Sequence, residues 1–364
     1  MGGERCSIGT ISASLVAVLL MGLASLPVTA EEADLAARSA DLVSVDGRLA
    51  IGEPIYHESL TLFPIVDNQA PERPGRDLLT LEEGLRAGTV TAGEIGLRGR
   101  YPAVYIRNRT KQAVLVTAGE VLAGGRQDRI IVRDEIIAPR ASAYVEVNCA
   151  EQGRSTAGDL GNWFVLGGKA EAELRRVVQT SRSQPATWHA IAVLNDAKAD
   201  TLSRDLPGES PARLEIAAAL APPTGTYVVS LVAAPVLERC SEYAEPLLSA
   251  LSKHGKVVGL VAAVNNQIAA AEIYEHSRLF KRAQRSVMRS FVLDALSGDR
   301  ALPGSAAPSS ESAAKFLRDA LEGAIVGERR LGTDMAFELE GHVSRSFVLR
   351  SDSGRIVHMD VYAK

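Results

Sequence analysis

The chain has 364 residues, 46% hydrophobic and 23% charged, and its 40 Lys and Arg against 44 Asp and Glu leave a net charge of -4. That composition excludes collagen-like, coiled-coil and wholly disordered chains. Three cysteines cannot build a disulfide framework, and a near-balanced charge gives no general attraction to nucleic acid, so no nucleic-acid partner is expected.

The N-terminus reads as a targeting segment. Arg5 precedes an apolar run from Ile11 to Leu26, which is followed by Pro27 and the small residues Val28, Thr29 and Ala30. A basic start, an apolar middle and small side chains before a peptidase site make residues 1–30 a secretory signal peptide, cleaved after Ala30. Cys6 stands ahead of the apolar run, whereas a lipid-modified cysteine would stand at its end. Sec-type export to a periplasm or to the medium follows, with no stable membrane span left after cleavage. Residues 31–50 lack periodicity and read as a flexible lead-in.

From residue 51 onward the pattern predicts one α+β domain with largely antiparallel sheets, divided into a strand-rich front lobe (51–200) and a mixed helix and strand back lobe (212–364). Ile55 to Val66 reads as a strand. Thr80 lies three residues before Glu83, the spacing of a capping box, and Gly88 closes the short helix that this box opens. Short apolar or alternating runs follow at Glu94–Leu97, Ala103–Asn108, Ala113–Thr117, Arg129–Val132, Glu135–Ala138 and Ser142–Cys149. Lys169–Ser181 and Thr187–Ala199 read as helices, and the polar stretch 202–211 reads as a linker.

In the back lobe, Val257–Val264 and Gln267–Tyr274 flank Asn265 and Asn266, which tolerate the positive φ angles of a two-residue hairpin turn. The first of these strands is apolar on both faces, as in a strand covered on both sides. A helix should then follow, because Leu279, Phe280, Ala283, Val287, Met288, Phe291, Val292 and Ala295 recur at helical spacing. A helix over Ser312–Ala324 and three strands near Met335–Leu339, Val343–Leu349 and Arg355–Tyr362 complete the chain. A tight last turn would set His358 opposite Phe347, away from His342. The six histidines show no metal-ligand pair such as HExxH, and Glu272 and His276 are separated by an expected strand end, so no metal site is expected.

The densest polar motif is GEVLAGGRQDR, residues 119–129. Gly124 and Gly125 free the backbone for a tight turn or a close ligand approach, and Gln127, Asp128 and Arg129 place donors and acceptors beyond them. Backbone amides backed by guanidinium groups suit a phosphate or carboxylate. The competing reading is a corner whose charges pair with one another, and no Walker-type lysine or cofactor signature accompanies the turn. A second cluster surrounds Cys149, where Glu151 and Arg154 follow. A carboxylate two positions away raises a thiol's pKa, so Cys149 reads as structural, and Cys149 and Cys240 read as separate thiols. Arg278, Lys281, Arg282, Arg285 and Arg289 form a basic stripe on the back-lobe helix, read as a solvated face.

Several of these segments resemble the ARG and Rhodanese-Phosphatase-superfamily-associated Protein domain family: TLFPIV (61–66), TLEEGL (80–85), GEVLAGGRQDR, NCAEQGR (148–154) and the hairpin running into VMRSFVLDAL. The likeness covers about Ile55 to Leu296, and the family's name implies a link to nucleotide or ADP-ribose chemistry. The sequence departs from the family pattern after Gly153 and Arg154, where Ser155 and Thr156 stand in place of an aromatic residue.

The expected function is therefore that of an exported, non-enzymatic domain binding an anionic small molecule or another exported protein. Its working surface would be the GGRQDR turn: Gly124, Gly125, Gln127, Asp128 and Arg129, with Glu151, Arg154 and Asn265. The alternative is a hydrolase acting on an ADP-ribose-like or phosphorylated compound, with Asp128 or Glu120 as general base and Arg129 holding the anion.

Overall fold

A computed structural model describes residues 42–69, 75–94, 102–208, 210–298 and 306–364. The signal peptide expected over 1–30, the part of the expected lead-in before residue 42, and most of the strand expected at 94–97 lie outside these residues.

The end of the lead-in is ordered into the sheet. Strands β1 (Val43–Ser44) and β2 (Leu49–Ile51) form a small hairpin whose turn is held by Asp46, its Oδ1 accepting the amides of Arg48 (2.7 Å) and Leu49 (2.6 Å). Strands of two and three residues are too short to show a period, which is why the sequence hides them. The expected strand from 55 to 66 divides at Glu58 and Ser59 into β3 (Ile55–His57) and β4 (Leu60–Asp67), which pair antiparallel.

A barrel interrupts the sheet after β4. The chain passes through β5 (Leu79–Thr80), helix α1 (Leu81–Arg86), β6 (Val90–Gly93), β7 (Ala103–Asn108), β8 (Val114–Val116), β9 (Glu120–Gly124), β10 (Arg129–Ile131), β11 (Glu135–Ile137), β12 (Ser142–Cys149) and β13 (Trp163–Lys169). Six of these close in the order β10-β12-β7-β6-β13-β9, while β11, β8 and β5 form a small separate sheet. The capping box is present: Thr80 Oγ1 accepts the Glu83 amide at 3.2 Å, and the Glu83 carboxylate accepts the Thr80 amide at 3.0 Å. Val104, Ile106, Val116, Leu122, Ile131, Val145 and Val147 fill the barrel, alternating with more exposed positions on β7 and β12 as expected for one dry face.

Helices α2 (Ala172–Ser181), α3 (Gln184–Ser203), α4 (Pro211–Leu220), α5 (Val229–Val232) and α6 (Ala234–Leu251) follow. The stretch read as a linker, 202–211, joins α3 to α4, and Arg213 of α4 returns a hydrogen bond to the Ser203 carbonyl at 2.8 Å. The chain then re-enters the sheet through β14 (Val257–Val264) and β15 (Gln267–Tyr274), joined by Asn265 and Asn266 at φ 51° and 66°. Helix α7 (Ser277–Ser297), helix α8 (Ser310–Leu321) and strands β16 (Ala324–Leu331), β17 (Asp334–Glu340), β18 (Ser344–Arg350) and β19 (Ile356–Ala363) complete it.

The resulting sheet runs β1-β2-β4-β14-β15-β19-β18-β17-β16, with β3 also on β4. Strand pairing therefore joins front-lobe β4 to back-lobe β14, register Val261 to Phe63. Period-two alternation sends Leu60 and Leu62 to the face packed by Leu279, Val287 and Phe291 of α7, and Phe63 and Ile65 to the face packed by Ala313, Phe316 and Leu317 of α8. The central strands are covered on both sides, as their unbroken apolar runs require.

Candidate functional site

The GGRQDR turn links β9 to β10, with Leu122 opposite Arg129. Gly124 (φ 128°) and Gly125 (φ 54°) take backbone conformations that side chains rarely adopt, and a Cβ on Gly125 would stand 2.4 Å from the Phe164 ring. Beyond the glycines, the polar groups turn on one another. Asp128 Oδ1 accepts the Gly124 amide at 2.8 Å and Arg154 at 3.0 Å, while its Oδ2 accepts the Thr226 hydroxyl at 2.5 Å. Arg154 also holds Glu151 at 2.7 Å and donates to the carbonyls of Gly124 (3.2 Å) and Gly125 (2.6 Å). Gln127 donates to the Glu151 carbonyl at 3.0 Å, and Arg129 pairs with Glu94 at 2.6 Å. Burial raises the Asp128 carboxyl above its usual range, against the hydrogen bonds from Thr226 and Gly124.

Cys149 lies in the same knot, 2.5 Å from Arg129 Nη1 and donating to Gln127 Oε1 at 3.1 Å. Burial nevertheless pushes its thiol up, the opposite of what a nucleophile needs. Cys149 and Cys240 are both free. Of the residues expected to share a site, Gly124, Gly125, Gln127, Asp128, Arg129, Glu151 and Arg154 come together; Asn265 is placed elsewhere. It sits at the β14–β15 tip, lining a separate 620 Å³ cavity with Arg176, Asp294 and Tyr362. Replacing Arg154 by Met should cost about 1–3 kcal/mol in urea denaturation through the orphaned Asp128 and Glu151, and should leave anion titrations unchanged.

Glu120, at the start of β9, points away from that turn into a second cluster. Lys169 at the end of β13 holds Glu272 of β15 at 2.6 Å and the Thr117 hydroxyl at 3.1 Å. Glu272 also binds Arg175 of α2 at 2.9 Å, His358 of β19 at 3.1 Å and the Tyr274 hydroxyl at 2.6 Å. Arg175 reaches Asp360 at 2.5 Å, and His358 Nδ1 reaches Asp134 at 2.6 Å. Gly119 (φ 81°) makes room for this: a Cβ there would stand 2.2 Å from the Arg175 stem.

The electrostatics follow from burial in opposition to charge. Burial pulls the His358 imidazole down, but Asp134 and Glu272 more than offset this and push it up to about 10. Burial drives the Glu120 carboxyl up to about 7, against the charge of Lys169 and the Thr117 amide. Glu272 is held well below the usual carboxylate range, because Lys169, Arg175 and His358 outweigh its burial. Asp134, His358 and Asp360 place ligand atoms within 4.8 Å of one another. A metal there would meet an imidazolium with both nitrogens donating and a carboxylate already paired with Arg175, so the trio's chemistry fits ion pairing better than coordination.

Above this cluster opens a groove of about 580 Å³, within the usual range for small-molecule sites of roughly 300–1,000 Å³. Helix α1 supplies Glu82 and Arg86, β13 supplies Trp163, Val165 and Lys169, and α7 supplies Arg285 and Arg289. Lys169, Glu82 and Ser286 also line a chamber of only about 20 Å³ beneath it, together with Thr80, Thr117, Glu120 and Tyr274. The chamber thus sets Glu120, the carboxyl of the motif raised to about 7, behind residues that also line the groove.

A family model, ARG and Rhodanese-Phosphatase-superfamily-associated Protein domain, matches residues 48–362. The chain belongs to that family. No curated protein and no solved structure matches it. The ARG and Rhodanese-Phosphatase-superfamily-associated Protein domain runs from β2 to β19, so the barrel, the buried cluster and the groove all lie inside it.

Sequence reasoning placed the basic residues of α7 on a solvated face. Arg278, Lys281 and Arg285 are exposed as expected, whereas Arg282 pairs with Glu83 of α1 at 2.6 Å, bringing that helix against α7, and Arg285 and the partly buried Arg289 line the groove so formed. The available signal was the lack of any acidic residue on α7 before Asp294, which left the stripe's partners to come from elsewhere.

Proposed function

We propose that this protein is an exported, non-catalytic domain that binds an anionic small molecule in the groove between α1, β13 and α7. The observation carrying this reading is the convergence of Arg86, Arg285 and Arg289 on a concave surface whose one carboxylate, Glu82, is already paired with Arg86. Arg285 faces Glu245 only at 4.0 Å with both side chains exposed, so its guanidinium is available to a ligand. The GGRQDR turn supports the groove from behind through the packing of Gly125 on Phe164.

Calorimetric titration of the purified protein with phosphate and pyrophosphate tests it. Binding that weakens with salt is expected, together with a loss of about tenfold or more on Arg285→Glu. The export half of the reading rests on the 1–30 segment; N-terminal sequencing of the protein recovered outside the cytoplasm should begin at Glu31.

A second reading, a hydrolase acting on a phosphorylated or ADP-ribose-like compound, is favoured by Glu120. A carboxyl held near pH 7 above a buried lysine pair suits general acid–base work. Hydrolysis of phosphate esters or ADP-ribose conjugates that disappears in Glu120→Gln, with ligand binding retained, would replace the first reading by this one.

A further inference from the structure

The β13 side of the groove carries one exposed aromatic ring, Trp163. Alternation along β13 puts Trp163 and Val165 on one side of the strand, and both are about half exposed, at 49% and 50%, although the strand belongs to a closed barrel. Trp163 is nonetheless held in place. Its indole lies against Gly93 of the neighbouring strand, where a Cβ would stand 2.9 Å from a ring carbon, so the side chain at that position has to be absent for the ring to settle there. Backbone therefore supports the ring while much of its surface stays open to the groove.

Further along the same strand the register shifts between Leu166 and Gly168. The bulge redirects the strand end, so that Lys169 goes down into the buried cluster while the preceding residues stay at the groove wall. The groove accordingly has two chemically distinct parts: a supported π surface at Trp163, and guanidinium groups from Arg285 and Arg289. Arg289 is held from the protein side, one nitrogen donating to the Leu231 carbonyl, another interaction going to the Cys240 sulfur and its Nε buried, so its charge backs the site while the exposed Arg285 presents the open donors. A ligand that satisfies both parts must carry a flat ring and a negative group within one small molecule.

We propose that the groove takes a nucleotide-sized ligand, a planar heteroaromatic ring stacked on Trp163 and a phosphate group set against Arg285 and Arg289. This rests on the anion-binding reading of the same groove and adds the ring to it. Base stacking on an aromatic side chain tolerates any planar base, so the ring requirement is for flatness rather than for one pattern of hydrogen bonds.

The chain holds two tryptophans, Trp163 and Trp188, so Trp188→Phe leaves Trp163 as its single indole reporter. Fluorescence titration of that variant with adenosine 5′-monophosphate, adenosine and inorganic phosphate is the test. The nucleotide should quench Trp163 and bind more tightly than either part, while phosphate binds without quenching. Trp163→Ala, followed by calorimetry, should weaken nucleotide binding roughly ten- to hundredfold and leave phosphate binding unchanged; Arg285→Ala should weaken both. Equal affinity for nucleotide and phosphate, with no effect of Trp163→Ala, overturns the ring proposal and leaves the anion site standing. Failure of all three probes to bind overturns both.

Discussion

Replacing Glu272 by Gln should destabilise the protein by about 3–5 kcal/mol or more, the cost of stripping one partner from a buried ion cluster. Lys169, Arg175 and His358 carry three positive charges, and Glu272, Asp360 and Asp134 carry three negative ones, with the Glu272 side chain fully buried. Glu272 is the shared acceptor of all three cations, so its neutralisation leaves the excess positive charge where no water can solvate it. Urea denaturation of the variant measures the loss. The pair Glu272→Gln with Lys169→Met should recover part of it, since the second change removes the surplus charge. A loss below about 1 kcal/mol would mean that the cluster is solvated in practice and does not bind the barrel to the sheet.

A second large effect is expected from pH. His358 has a folded value of about 10, above the ordinary imidazole value of 6.5, so the fold binds a proton that the unfolded chain releases. Its contribution is fully present below pH 6.5 and is lost as the pH rises through 10. At about 1.4 kcal/mol per pH unit this amounts to about 5 kcal/mol at most. Glu120 and Asp294 act with the same sign at lower pH. Burial raises both to about 7, with the charge of Glu171 adding to the shift of Asp294, so their ionisation costs stability between the ordinary carboxylate range and pH 7. Asp134 and Glu272 are held ionised and lose their contribution only as the pH falls below the ordinary carboxylate range. Urea midpoints should therefore decline steadily from pH 6 to pH 10, and His358→Asn should flatten the upper part of that curve. A wild-type curve flat over this interval would refute the assignment of His358 as a buried imidazolium.

What was legible in the sequence was local. The Thr80 and Glu83 box, the Asn265 and Asn266 turn, β7, β12 and the apolar face of α7 each follow from chemistry contained within a few residues, and the structure shows them at the expected positions. The barrel was hidden for a related reason. Strand β9 lies inside the GEVLAGGRQDR motif, where glycine and charge suggest a turn although Val121 and Leu122 are buried, and β13 carries Gly167 and Gly168 at its bulge. Lys169, read as the start of a helix, closes β13 instead, and the helix begins at Ala172.

The buried cluster was out of reach for a different reason. Arg350 pairs with Ile356 rather than Arg355, and a bulge between Leu349 and Arg350 shifts the register by one more residue, so His358 stands opposite Leu349 rather than Phe347. Its partners Glu272 and Asp134 stand 86 and 224 positions away in the chain, distances over which one sequence gives no pairing signal. Along the chain the histidine near Glu272 is His276; the histidine it meets, His358, lies on the adjoining strand.

The insertion of the barrel between β4 and β14 sets a schedule for biosynthesis. Every residue of Leu60–Asp67 is buried in the finished sheet, yet its central neighbour Val257–Val264 leaves the ribosome roughly 190 residues later, a delay of about 10–40 s at ordinary elongation rates. Throughout that interval an apolar ribbon with one edge unmatched has to be kept from sticking to other nascent chains. A holding chaperone, or an export route that accepts the chain still unfolded, would meet that need.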